Sequence, residues 1–186
     1  NVDILEEKIK EPIEKIRIPQ DTFYRTKGKR ILDIFISIIA FIVFTPLMAI
    51  ISISIKLSSF KDPVIFKQIR VGEDGDFFTF YKFRTMKNGA EVRNHSDENG
   101  EITIKPTLTS KGDERVTFIG KILRKTALDE LPQLVSVFKG DMSIVSPRPE
   151  RPFFVTQHGC LQGKRIHVKP GLFCLPEIVY GFSDDN

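Results

Sequence analysis

From Ile34 to Ile55 the chain reads IFISIIAFIVFTPLMAIISISI, with no charged residue. No other feature restricts its fold as strongly. At about 1.5 Å per residue, a helix of this length matches the ~30 Å hydrocarbon core of a bilayer. About thirty residues precede the run and no small-residue cleavage site follows it, so it does not read as a signal peptide. The alternative is the buried core helix of a soluble protein, which seldom stays uncharged for so long.

Two details complicate a simple span. Thr45-Pro46 lies in the middle of the run, and a proline there withdraws a backbone donor and favours a kink. The flanks are basic on both sides: Arg25, Lys27, Lys29 and Arg30 before, and Lys56, Lys61, Lys67 and Arg70 after. Basic flanks stay on the cytoplasmic side. A helix that enters, breaks at Pro46 and returns to the same face fits this symmetry, and an ordinary span is the other reading. Asp33 at the entrance has Lys29 or Arg30 within reach as a partner, lowering the cost of a carboxylate near lipid.

Residues 1–26 read as a linker carrying a surface helix, with Ile4, Leu5, Ile9, Ile13 and Ile16 spaced among charges and Pro12 and Pro19 interrupting. Residues 63–86 read as a hairpin around Gly72-Glu73-Asp74-Gly75. Residues 87–113 are polar and read as a long loop, with a short strand at Glu101–Ile104. Residues 116–126 pattern as a basic amphipathic helix suited to a membrane surface or an active-site wall. A further helix is expected over 129–139, closed by Gly140, and the rest alternates proline turns with short apolar runs. Both ends look cut, so the chain reads as part of a longer protein.

The net charge is +4, which suits a partner bearing phosphate without choosing among nucleotide, anionic lipid and nucleic acid. The two cysteines, Cys160 and Cys174, form no CxxC pattern. His95, His158 and His167 are scattered and have no ligand spacing. Neither a P-loop nor a GxGxxG occurs, which argues against a Walker-type kinase or a dinucleotide enzyme.

The residues that can carry chemistry lie elsewhere. Proline is tolerated in a helix's first turn, so Pro132 places a helix start near Asp129-Glu130. An ionised Asp there can attack phosphorus while its neighbour holds a divalent metal. The bland alternative is a capping box with Thr126 as the cap and Asp129 at its third position. Lys82 and Arg84 alternate on a strand and share a face, as a diphosphate clamp or as an exposed edge. Arg148 sits between Pro147 and Pro149 on a stiff backbone that pre-organises its fork for phosphate, or simply forms a surface turn. Asp141 is a second metal ligand or a helix-end residue.

These stretches together resemble the bacterial sugar transferases, the monotopic polyprenyl-phosphate phosphoglycosyl transferases. The matching segments are KRILD (29–33), TP (45–46), FKQIRVG (66–72), YKFRTM (81–86), GKILRKTALDELPQL (120–134), KGDMSIVSPRPERP (139–152) and VKPG (168–171), in family order across about three quarters of the chain. PRPERP resembles the larger members, whose catalytic part follows further membrane helices and a regulatory domain.

The resemblance implies an α+β monotopic membrane protein: a broken re-entrant helix over about 31–56, amphipathic interface helices and a small β-hairpin or sheet, with residues 27–186 as the catalytic domain. It implies transfer of a sugar 1-phosphate from a UDP-sugar to polyprenyl (undecaprenyl) phosphate, releasing UMP, as a membrane step of exopolysaccharide or capsule assembly. The site would be the cytoplasmic face of the bacterial inner membrane. Asp129 and Glu130 become the catalytic dyad, with Asp129 forming an aspartyl phosphosugar and Glu130 helping to hold Mg²⁺. Lys82 and Arg148 match basic positions near the phosphates. Arg84, Arg165 and Lys169 join them as further phosphate ligands, and Asp141 as a further metal ligand. Thr45 and Pro46 form the helix break, and Arg30 and Asp33 the entrance pair. The partners implied are the UDP-sugar, polyprenyl phosphate and membrane lipid, with no nucleic acid; a homo-oligomer is left open.

The chain departs from the family pattern at Ser146, where glycine is usual, and over 172–178, where Leu172-Phe173-Cys174-Leu175-Pro176-Glu177-Ile178 replaces a Thr-Gly-containing stretch. Three competing readings stay open: an inactive scaffold of the same fold, a basic membrane-surface module, and a glycosyltransferase that would release UDP.

Overall fold

A computed structural model describes residues 27–90, 92–96, 102–106, 113–157 and 164–174, with the backbone alone at 92–96, 102–106, 157 and 164. The expected linker helix over 1–26, Cys160, His158 and the departures beyond Cys174 lie outside the described residues. Helix and small sheets mix, as an α+β fold requires.

The apolar run forms helix α1 (Lys29–Ser58). It continues through Pro46 as one element, because proline withdraws only one donor from a long hydrogen-bond ladder. Thr45 Oγ1 donates back to the Phe41 carbonyl at 2.5 Å, alongside the ring. Only 11% of the most apolar stretch is buried, and Phe35, Ile42, Val43 and Ile53 point outward. A core helix would bury that surface, which the described residues leave open. By length and composition α1 is able to cross a membrane.

The same body covers α1 on either side of residues 42–46, which are all exposed. In its first half Ala40 and Phe41 pack on the cluster of Phe78, Phe80, Leu134, Val137, Met142 and Leu172. Near its end Ile51 and Ile55 join Phe83 and Leu123. The polar start is fastened separately. Asp33 Oδ1 accepts from the Ile144 amide at 3.0 Å and from the Ser143 hydroxyl at 3.1 Å. The Lys29 ammonium lies 3.6 Å from Asp33 and also donates to Ser143 Oγ. The expected Arg30–Asp33 pair does not form. Arg30 instead donates to the Val137 and Phe138 carbonyls at 2.6 and 2.7 Å, where a helix end leaves acceptors without intrahelical partners.

The hairpin appears as expected. Strands β1 (Ile65–Val71) and β2 (Phe77–Phe83) pair antiparallel with Phe66 opposite Lys82. Asp74 and Gly75 both adopt positive φ in the turn, at 53° and 83°. The predicted long loop is corrected: β3 (Val92–Ser96) and β4 (Ile102–Pro106) form a second antiparallel pair. Polar composition masked β3, whereas β4 falls on the short strand read at Glu101–Ile104, where Ile102 and Ile104 alternate as a strand should.

Helix α2 (Phe118–Lys125) is capped by Thr117, whose Oγ1 accepts from the Gly120 amide at 2.9 Å. Gly120 lies against the Thr85 backbone so closely that a Cβ would fall 2.1 Å from its carbonyl oxygen. The expected helix over 129–139 divides. Leu128–Gln133 is a 3₁₀ turn containing Pro132, and only α3 (Leu134–Lys139) is α-helical, closed by Gly140 at φ 100°. The chain then forms β5 (Ser143–Val145), α4 (Pro152–Gln157), a 3₁₀ turn at Lys164–His167, and β6 (Gly171–Phe173), which runs parallel to β5.

Two stability measurements follow. Asp33→Ala strands the part-buried Ile144 amide and the buried Ser143 hydroxyl and should cost about 1–3 kcal/mol, read as a lower thermal midpoint of the detergent-solubilised protein; an unchanged midpoint would mean the clasp is idle. Gly120→Ala drives a methyl into backbone that has no rotamer to yield, and at least the ~1–3 kcal/mol of ordinary overpacking is expected. A variant as stable as the parent would refute that close approach.

Candidate active site

Asp129 and Glu130 sit at the start of the 3₁₀ turn, preceded by Ala127 at φ 54°. That left-handed residue reverses the chain after α2 and turns Asp129 inward, where it is 7% exposed. The capping-box reading fails here. Thr126 Oγ1 donates back to the Ile122 and Leu123 carbonyls, so it closes α2 and caps nothing ahead of it.

A buried carboxylate needs compensating charge. Burial pushes the Asp129 carboxyl above the usual carboxylate range, while Lys82, then Arg124 and Arg148, pull it back. Burial likewise lowers the Lys82 ammonium to about 8, opposed first by Asp129. A carboxylate made more basic yet held ionised by cations is a competent nucleophile towards phosphorus.

Lys82, Arg84 and Arg124 line one recess with Phe66, Thr85 and Met86. The shared face read for Lys82 and Arg84 is therefore real. Arg84 Nε donates to the Pro63 carbonyl at 2.8 Å, and Lys82 Nζ stands 5.3 Å over the Phe66 ring. Arg124 was not singled out from the sequence. Its Nε donates to Thr85 Oγ1 at 3.0 Å, one helical turn after Gly120 packs on the same threonine. The spacing of Gly120 and Arg124 on one helix face was the signal available.

On the other side, Arg148 Nη2 meets Glu130 Oε1 at 2.5 Å. The loop carrying Arg148 is fixed by its backbone. Arg165 donates to the Arg148 carbonyl and lies 3.0 Å from Glu150. Arg70 Nη1 donates to the Pro149 carbonyl at 2.9 Å, and the Val71 amide to the Glu150 carbonyl at 2.9 Å. The Gly171 amide donates to the Pro147 carbonyl at 2.7 Å. Arg70 is a second residue the sequence reading left among the flanking charges. It stacks 4.9 Å over Phe80, and burial with Arg151 nearby lowers it to about 10.

Arg165 thus holds the loop that presents Arg148. Lys169 lies beside Gly140 and Glu73. Among the described residues no three acidic, histidine or cysteine side chains converge as a metal cage. A Mg²⁺ ion does not require one, since one or two carboxylates plus substrate phosphates suffice. Asp129 and Glu130 fit that requirement, and Asp141 does not join them.

With this geometry in view, the relatives are informative. Residues 24–185 match the family model described as bacterial sugar transferase. The chain is 39% identical over 160 residues to a UDP-N-acetylgalactosamine-undecaprenyl-phosphate N-acetylgalactosaminephosphotransferase of Aeromonas hydrophila, covering 84% of this chain and 35% of that one. It is 40% identical over 153 residues to a UDP-glucose:undecaprenyl-phosphate glucose-1-phosphate transferase of Klebsiella pneumoniae, covering 81% and 30%. It is 43% identical over 125 residues to an undecaprenyl-phosphate galactose phosphotransferase of Salmonella typhimurium, covering 65% and 26%. The chain therefore spans about a third or less of each of these relatives. A match over nearly the whole chain, with the Asp-Glu pair set among cations, makes it a member of the bacterial sugar transferase family.

Proposed function

We propose that this chain transfers a sugar 1-phosphate from a UDP-sugar to undecaprenyl phosphate at the cytoplasmic face of a bacterial inner membrane. The observation that carries the reading is Asp129, a buried carboxylate held among Lys82, Arg124 and Arg148 beside Glu130. Phosphoryl transfer asks a protein mainly for positioning and neutralised charge, which this arrangement supplies.

In the first half-reaction an Asp129 oxygen attacks the sugar-bearing phosphorus. A carboxylate–phosphorus bond forms, the bond to the UMP oxygen breaks, and UMP leaves with the electron pair. In the second, a phosphate oxygen of the lipid attacks the same phosphorus and Asp129 departs. Lys82 and Arg124 stabilise the charge on the transferring group, and Arg148 engages a phosphate oxygen. Bound Mg²⁺, with Glu130 as its protein ligand, would neutralise the diphosphate. The named relatives share the undecaprenyl-phosphate acceptor and differ in sugar, so the acceptor assignment is the firmer of the two.

The membrane reading follows from α1. Its lipid-facing surface is apolar, yet its polar start and its last turns pack on one body. A body bound to both ends keeps both ends on one side of the bilayer. That favours a monotopic, re-entrant course bending at Thr45-Pro46 over a span, and it sets Asp129 near the headgroups. Exposed Phe118 and Ile122 beside Lys121 and Lys125 on α2 suit the same interface.

Two measurements test this. With Mg²⁺, undecaprenyl phosphate and a panel of UDP-sugars, the detergent-solubilised protein should release UMP, and Asp129→Asn should lower the rate by about a thousandfold or more. UDP as the product would mean ordinary glycosyl transfer, and silence in the full-length protein as well would leave an inactive scaffold.

The second concerns pH. Lys82 serves as a cation, so kcat/KM should fall as pH rises through about 8. Asp129 serves ionised, so the acid limb should lie above the ordinary carboxylate range. Lys82→Arg should move the alkaline limb upward, because guanidinium does not titrate there; an unmoved limb would remove Lys82 as its source.

A further inference from the structure

The contact that the proposed reaction leaves unexplained is the one between Arg148 and Glu130. Glu130 is the carboxylate assigned to the metal, yet its Oε1 faces the Arg148 guanidinium at 2.5 Å. The pair is largely sheltered, at 29% and 14% side-chain exposure. Breaking such a pair without replacement leaves a charge uncompensated, whereas exchanging one cation for another keeps the balance.

The surroundings confine that exchange to a side chain. Arg148 lies between two prolines, and its own carbonyl and those of Pro147, Pro149 and Glu150 all accept hydrogen bonds from elsewhere in the body. Ser146 just before them is pressed against Gly171, where a Cβ would come within 2.3 Å of its backbone. The backbone is a fixed mount, so an exchange at Glu130 is a rotation of the arginine stem about its own rotors. No three-carboxylate cage is present among the described residues, so a divalent ion at Glu130 depends on phosphate oxygens that arrive with the substrate.

We propose that Arg148 is the resident counter-ion of Glu130, which it yields to the metal when a metal-bearing nucleotide arrives, passing its guanidinium to a phosphate oxygen. This rests on the reading of Glu130 as the metal ligand. Arg148 then opposes metal binding in the substrate-free protein and favours it once phosphate is present. Metal and nucleotide become positively coupled through one side chain. Bare metal is held weakly, and the dyad loads as a unit with its substrate.

The test reads metal binding without turnover. Mn²⁺ serves as the probe, with the free ion quantified by its electron paramagnetic resonance signal, on the detergent-solubilised protein. Without nucleotide, Arg148→Gln should bind Mn²⁺ about tenfold more tightly than the parent. Arg148→Lys keeps the charge without the fork and should gain less, in the same direction, which serves if the Gln variant folds poorly. Adding Glu130→Gln to Arg148→Gln should erase the gain. Saturating UMP should tighten Mn²⁺ binding in the parent and do so less in Arg148→Gln. Equal or weaker Mn²⁺ binding by both Arg148 variants overturns the exchange, as does a gain that survives loss of Glu130. UMP release with no Mn²⁺ gain would sink the exchange alone. An Mn²⁺ gain in a protein that releases no UMP would sink the reaction and leave the exchange standing.

Discussion

Asp33 holds the long apolar helix α1 to the rest of the described fold. A carboxylate on an otherwise apolar helix is expensive, and its cost is offset because it satisfies the Ile144 amide and the Ser143 hydroxyl of β5 and lies beside Lys29. Arg30 repeats the logic three residues earlier, closing the carbonyl end of α3. These bonds are polar contacts across a low-dielectric seam, so they are directional where the apolar contacts of Phe41, Ile51 and Ile55 are not. They fix the height of α3 and of the 3₁₀ turn before it relative to α1. The position of Asp129 and Glu130 on that turn is thus tied to an aspartate nearly a hundred residues earlier.

The dyad itself is a problem in charge balance. Burial raises Asp129 and lowers Lys82, and each limits the shift of the other. Neither group is at rest in isolation. The two cationic arms arrive from different places, Lys82 and Arg84 from the hairpin and Arg124 from α2, and the two elements are locked where Gly120 meets Thr85. A phosphate entering the recess meets donors whose positions are already settled by backbone packing, which is how preorganised electrostatics gain over water.

Much of this was legible in the sequence for identifiable reasons. The run from Ile34 to Ile55 announced its own environment, and the Gly72–Gly75 turn announced the hairpin. What the sequence hid were choices made by tertiary contact. Thr126 had the spacing of a cap, but an αL residue at Ala127 ended one helix and began a 3₁₀ turn instead. Arg30 and Lys29 were equivalent partners for Asp33 until the carbonyls of α3 claimed one of them. Arg124 looked like one more charge on a basic surface because the glycine that brings its helix onto Thr85 carries no side-chain signal. Arg165, read as a phosphate ligand, also donates to the backbone beneath Arg148, a contact its sequence context did not announce.

The departures from the family pattern acquire a physical reading in this light. Ser146 stands where glycine is usual, but its amide donates to the Phe173 carbonyl at 3.0 Å, and the close approach to its backbone is made by Gly171. The glycine requirement is therefore met on the opposite strand, and a hydroxymethyl at 146 is tolerated. Leu172 replaces the usual residue with a side chain buried in the main cluster beside Met142 and Val137. Both changes fall on the strand pair that mounts Arg148, and both preserve the backbone bonds that do the mounting.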